Sequence, residues 1–161
     1  MRYTNHMNQK PIVYLLCGLP ASGKTEYAKK LELQGVVRFT LDEELFKRFG
    51  REYTDHAEKQ EYTKSEISKL VAEKVKAGNS VAVDFGFWKK ADRDAYKKFV
   101  EDIGGEWKLL YFKADKKVLL ERLLHRNVTN PGSNHIISAE LLEKFMQEFE
   151  APSDEGEEVI L

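Results

Sequence analysis

The chain has 161 residues, 42% of them hydrophobic and 33% charged, with a formal net charge of −1. That length suits one domain with room for a sizeable core, spanning residues 1–161, with polar residues 1–10 expected to be flexible. The balanced charge argues against a protein that grips long nucleic acid, and no apolar run approaches the ~18 residues of a membrane span.

The first residues hold no apolar signal-peptide core, and Cys17 is the only cysteine, so no intrachain disulfide is possible. Both points suit a cytoplasmic protein; a monomer or homodimer is expected. Cys17 sits in an apolar run and reads as a small core residue.

Pro11 to Cys17 (PIVYLLC) has strand length and suits a strand buried on both faces. A glycine-rich loop follows. Thr25 to Leu33 reads as a helix closed by Gly35. Val36 to Thr40 reads as a second strand, and Leu41 to Phe49 as a helix stopped by Gly50. A long helix is expected from about Ala57 to Ala77, with Ile67, Leu70, Val71 and Val75 as its apolar stripe. Ser80 to Asp84 is a third strand. Lys89 to Ile103 is helical, with Ala91, Ala95, Tyr96, Phe99, Val100 and Ile103 on one side. Glu106 to Phe112 is a fourth strand. Asp115 is expected to cap a helix running to about Arg126, and Asn127 to Ile137 carries strong loop signals. Ser138 caps a helix carrying Leu141, Leu142, Phe145, Met146 and Phe149. After an acidic tail, Val159 to Leu161 is a short fifth strand. Strands alternating with helices imply crossovers and a parallel sheet covered on both faces.

Gly18-Leu19-Pro20-Ala21-Ser22-Gly23-Lys24-Thr25 is a complete Walker A loop between a strand and a helix. The end glycines let the backbone turn tightly and approach phosphates. The loop amides form an anion nest at a helix N-terminus, whose dipole favours negative charge. Lys24 is expected to reach the β and γ phosphates of ATP, and the Thr25 hydroxyl to ligate Mg²⁺. Glu26, in the first helical turn, completes the nucleotide-binding set. Leu19 and Pro20 read as loop shape.

In open parallel sheets, ligands bind beyond the carboxyl ends of strands. Asp84 ends strand three and fits a Mg²⁺-holding acid, with a cap as the alternative. Asp42 follows strand two and suits the base that accepts a hydroxyl proton, with a cap of the following helix as the alternative. The two roles could be exchanged. Arg122 and Arg126 lie four residues apart on one helix face before the loop, at about 127–137, expected to act as a lid over ATP. His125 and His135 read as surface residues.

The set GLPASGKT, LD at Asp42, VAVDFGFW ending at Trp88, ERLLHRN and FEAPSDEG resembles the small AAA-type "predicted kinase" ATPases. These are relatives of chloramphenicol phosphotransferase, zeta toxin and polynucleotide kinase. The resemblance covers about Lys10 to Leu161. It implies an α/β, P-loop kinase fold with a five-stranded parallel sheet sandwiched between helices. It implies Asp42 as general base, Arg122 stacking on adenine and Arg126 contacting phosphate. Phage-type polynucleotide kinases carry arginine three residues after the base, where this chain has Leu45, which weighs against nucleic-acid 5′-hydroxyl phosphorylation. No matched set of acceptor-side arginines is found.

The expectation is therefore an ATP- and Mg²⁺-dependent phosphotransferase acting on a hydroxyl of a small molecule. Asp42, Lys24 and Arg126 form its catalytic set, and Thr25 and Asp84 manage the metal. The acceptor is expected between the helix after Asp42, the Phe85 to Trp88 turn and the long helix near Tyr53 to Tyr62. Two alternatives stand beside it: a nucleotide or nucleic-acid kinase, and an ATP-binding regulatory module with only slow hydrolysis.

Overall fold

The computed structural model describes residues 9–50, 54–129 and 136–161. Eleven elements follow one another along the described residues. They are β1 (Ile12–Cys17), α1 (Lys24–Leu33), β2 (Val37–Thr40), α2 (Leu41–Phe49), α3 (His56–Lys76), β3 (Val81–Gly86), α4 (Lys90–Asp102), β4 (Glu106–Phe112), α5 (Lys116–Thr129), α6 (Ala139–Glu148) and β5 (Glu158–Ile160). The strands form one sheet in the order β2-β3-β1-β4-β5, and every neighbouring pair is parallel.

The apolar β1 run sits at the centre, hydrogen-bonded on both edges. Its alternating side chains feed two layers. Val13, Leu15 and Cys17 join Leu45, Ile67, Val71 and Val100 from α2, α3 and α4. Leu16 joins Ala28 of α1 on the other face. Leu15 and Leu16 are fully buried, and each such side chain is worth about 1.5–3 kcal/mol. A charge at Leu15 would be sealed inside the larger layer with no partner. A third cluster lies beside the phosphate loop, where Leu19 packs with Leu119 and Leu123 of α5 and Leu142 of α6. Leu19 is thus more than loop shape: it joins the loop to the two helices flanking the expected lid.

Two boundaries and one buried helix face differ from expectation. β3 runs two residues past Asp84 to Gly86, because Gly86 pairs with Cys17 across a register shift and its carbonyl accepts from the Gly18 N–H at 3.0 Å. α5 continues through Thr129, whose hydroxyl donates back to the His125 carbonyl at 2.8 Å. On α4, Ala91 and Ala95 are exposed, and the buried side instead holds Arg93 with Val100.

Candidate active site

The carboxyl ends of the strands open into a cleft of about 2120 Å³. Pro20 to Glu26, Asp42, Asp84, Trp88, Arg122 and Arg126 all line it. The sheet thus gathers residues from four separate stretches of chain. Within the expected lid segment, residues 130–135, with His135, lie outside the described residues, as does Tyr53; His125 is exposed.

The loop geometry follows from its glycines. A Cβ on Gly18 would stand 2.7 Å from Ser22 Oγ and 3.1 Å from the Phe112 carbonyl oxygen, so only glycine fits there. Gly23 caps α1 at φ 103°, a left-handed conformation costly for any other residue. No side chain caps α1, so the first amides of the helix point into the cleft without a helical partner. The Lys24 ammonium donates to the Gly18 and Leu19 carbonyls at 2.8 and 3.0 Å. Thr25 and Glu26 are exposed on the first turn.

The two aspartates have different settings. Asp84 is 8% exposed. Burial pushes its carboxyl above the usual range; the Lys24 ammonium opposes that shift, and the neighbouring Asp42 carboxylate adds to it. Asp42 is exposed, in the first turn of α2, whose N-cap is Thr40 rather than Asp42. Neither aspartate therefore sits at a helix-cap position. Arg38 of β2 also lowers the Asp84 carboxyl, and it is itself held by Glu43 at 2.9 Å, Thr40 at 3.1 Å and Glu32 at 3.3 Å.

The arginine pair of α5 faces the cleft as its spacing requires. Arg122 Nη1 donates to the Ala21 carbonyl at 3.0 Å. Arg126 Nε is buried without a hydrogen-bond partner among the described residues, as is Ser22 Oγ. Asn127 Nδ2 reaches the Ile137 carbonyl at 3.4 Å, and Lys116 pairs with Glu143, tying α5 to α6.

The acceptor side is partly as expected. Phe85, Phe87 and Trp88 line the cleft together with Leu45 and Tyr96. Phe87 is also core, at 4% exposed, edge-on to Tyr96 at 5.3 Å. Tyr62 is elsewhere: it lines a separate small hollow with Phe49, Asp55, Glu58 and Lys59, because its position on α3 turns it away from the sheet. Gln60, Lys64 and Ser68 are among the α3 residues that reach the cleft. Leu45 is 3% exposed within the core layer, a place that would strand an arginine.

Sequence reasoning missed the support behind this wall. Arg93, with a side chain 1% exposed, forms a forked pair with Glu155 at 2.8 and 2.9 Å and donates to the Phe87 carbonyl at 2.8 Å. Phe87 sits at φ 49°, left-handed and strained for a phenylalanine. The Cys17 thiol also donates to its carbonyl, at 3.3 Å, and burial pushes that thiol up to about 11, so it stays a donor. The FEAPSDEG stretch carried the only signal.

A family model described as an AAA domain matches residues 13–152. The chain belongs to this AAA domain family. No curated protein matches the sequence. Among solved structures, a protein of Chloroflexus aurantiacus j-10-fl, named only provisionally as a kinase, is similar at a TM-score of 0.73 and 19% identity. The match covers 94% of this chain and 87% of that one. A chain of the Pnkp1/Rnl/Hen1 RNA repair complex matches at 0.74 and 17%, covering 91% of this chain but only 45% of the other. A gluconokinase of Sinorhizobium meliloti 1021 matches at 0.60 and 19%, covering 92% and 80%. The AAA domain thus has the α/β fold of P-loop kinases, with the five-stranded parallel sheet.

The site of this AAA domain fits the phosphates of a nucleotide. The tight glycine cradle, the uncapped α1 amides and the unpartnered Arg126 Nε are all donors or spaces suited to phosphate. Among the described residues no group of three or more His, Cys, Asp or Glu forms a metal cage. A Mg²⁺ ion here would take few protein oxygens and rely on phosphate and water for the rest.

Proposed function

We propose that the protein is an ATP- and Mg²⁺-dependent phosphotransferase that moves the γ-phosphate to a hydroxyl of a small-molecule acceptor, acting as a single domain. One observation carries the reading. Lys24 of the phosphate loop and two aspartates, Asp84 buried and Asp42 exposed, line one cleft at the carboxyl ends of the strands.

Lys24 and the amides of Gly23, Lys24 and Thr25 at the start of α1 hold the phosphates, the Lys24 ammonium leaving the Gly18 and Leu19 carbonyls to do so. Thr25 and Asp84 hold Mg²⁺, which when bound neutralises charge on the transferring group. Asp42 is accessible and takes the proton of the acceptor hydroxyl at its carboxylate. Arg122 and Arg126 close over the nucleotide and help exclude water. The acceptor rests against Phe85, Trp88 and Tyr96. The buried Leu45 favours a small acceptor over a nucleic-acid end.

The test is a screen of hydroxyl compounds with γ-labelled ATP, with sugar acids and a 5′-hydroxyl oligonucleotide included, read by mass spectrometry. Asp42→Asn should lower transfer roughly 10²–10⁴-fold with near-normal ATP affinity and melting temperature. Hydrolysis of ATP with no labelled product, unchanged in Asp42→Asn, would support a regulatory ATPase instead.

A further inference from the structure

The Phe85 to Trp88 turn does more than line a wall. The Trp88 indole N–H donates to the Gly18 carbonyl at 3.2 Å, and Lys24 Nζ donates to that same oxygen at 2.8 Å. Gly86, at φ 78°, leaves room for the indole: a Cβ there would stand 3.1 Å from Trp88 Nε1. The other side of the indole packs on Phe145 of α6, ring centres 5.0 Å apart. The Trp88 carbonyl accepts from the Glu150 N–H at 2.9 Å, and Lys89 Nζ donates to the Glu148 carbonyl at 2.9 Å. Trp88 is thus the side chain that touches the first glycine of the phosphate loop on one side and the helix behind the lid on the other.

We propose that Trp88 is a positioning residue for the phosphate loop. This rests on the reading that the loop binds a nucleotide. When Lys24 turns to the phosphates, the Gly18 carbonyl loses its charged donor, and the Trp88 N–H is the remaining side-chain donor that holds it. An unheld carbonyl could rotate toward the phosphates, where its partial negative charge opposes binding. The indole also carries the change outward, because it packs on Phe145 of α6.

The chain has two tryptophans, Trp88 and Trp107. Trp107 bonds Glu101 at 3.1 Å, lies under Lys97 at 4.6 Å and does not line the cleft. Trp107→Phe therefore leaves Trp88 as the only reporter. Mg-ADP added to this variant should change the indole emission, saturating with the binding measured by calorimetry. Trp88→Phe keeps a ring against Phe145 but removes the donor. It should bind Mg-ADP about three- to tenfold more weakly, the effect of one lost neutral hydrogen bond, while Trp107→Phe binds normally. A folded Trp88→Phe with wild-type affinity would overturn the proposal and leave Trp88 a packing residue. Should Trp88→Phe fail to fold, the emission decides: no change at calorimetric saturation overturns it. Absence of Mg-ADP binding to the wild-type protein would instead remove the nucleotide reading itself.

Discussion

Glu155→Ala should be among the most destabilising substitutions outside the apolar core. The carboxylate is 5% exposed and accepts two bonds from a guanidinium that is 1% exposed. Truncation leaves the Arg93 charge buried, still donating to the Phe87 carbonyl but without its carboxylate. Lys97 Nζ, 3.8 Å from Oε1, carries the wrong sign to replace the lost acid. Breaking a buried pair in this way costs about 3–5 kcal/mol, most of it the penalty of the stranded charge rather than the net worth of the pair. Set against a typical total of about 5–15 kcal/mol, that is roughly a fifth of the stability at the least. Urea unfolding should show a fall in midpoint at unchanged slope. A double variant, Arg93→Met with Glu155→Leu, should recover most of the loss.

The pH dependence gives an independent check. Hydrogen bonding from Arg93 holds the Glu155 carboxyl below the usual carboxylate range. Between the two pKa values the unfolded chain binds more protons than the folded one, so stability there rises with pH. The contribution is present above the ordinary glutamate pKa and is lost as pH falls through the depressed value. The gap between wild type and Glu155→Gln should close over that acid window. A loss under about 1 kcal/mol for Glu155→Ala at neutral pH would be in the range of exposed pairs and would refute the buried geometry.

Lys24→Ala should lower ATP turnover about 10²–10³-fold, since the ammonium is a main counter-charge in the transition state; steady-state kinetics and Mg-ATP calorimetry check it. Asp84→Asn should raise the melting temperature of the nucleotide-free protein at neutral pH while weakening Mg-ATP binding. Burial raises the Asp84 carboxyl, so the folded state holds its proton longer, and its contribution, full below the ordinary aspartate pKa, is lost as pH rises through the raised value. Thr63→Val should stabilise by about 1 kcal/mol, read as a higher melting temperature, because the fully buried Thr63 hydroxyl has no hydrogen-bond partner among the described residues.

The layers were legible because local signals carried them. β1, β3 and β4 are apolar runs of strand length, and glycines stop α1 and α2 close to where the helices end. The phosphate loop was legible because its chemistry is contiguous: glycine spacing, lysine and threonine lie within eight residues. The arginine pair was legible for the same reason, since four residues of helix put both guanidiniums on one side. The sequence order of Asp42 and Asp84 placed both at strand ends, but nothing local said which would be buried. That difference depends on strand order. Asp84 lies on β3, between β2 and β1, while Asp42 falls past the end of the edge strand β2, on α2.

What escaped reading was long-range and polar. Arg93 stands in KADRDAYKKF among other charges, where helical periodicity assigns the inward side to Ala91 and Ala95. Glu155 stands in an acidic tail that reads as solvated. Neither residue signals burial alone; only the fold brings them together from 62 positions apart, and burial of one is tolerable only because the other is there. The same logic explains the strained turn. A phenylalanine at φ 49° is costly by itself, and its carbonyl is held by Cys17 from β1 and Arg93 from α4. The turn in turn sets Trp88 against Gly18. A motif of eight residues therefore marks the glycine-rich loop, while the shape of the wall facing it depends on an ion pair between α4 and the last tenth of the chain.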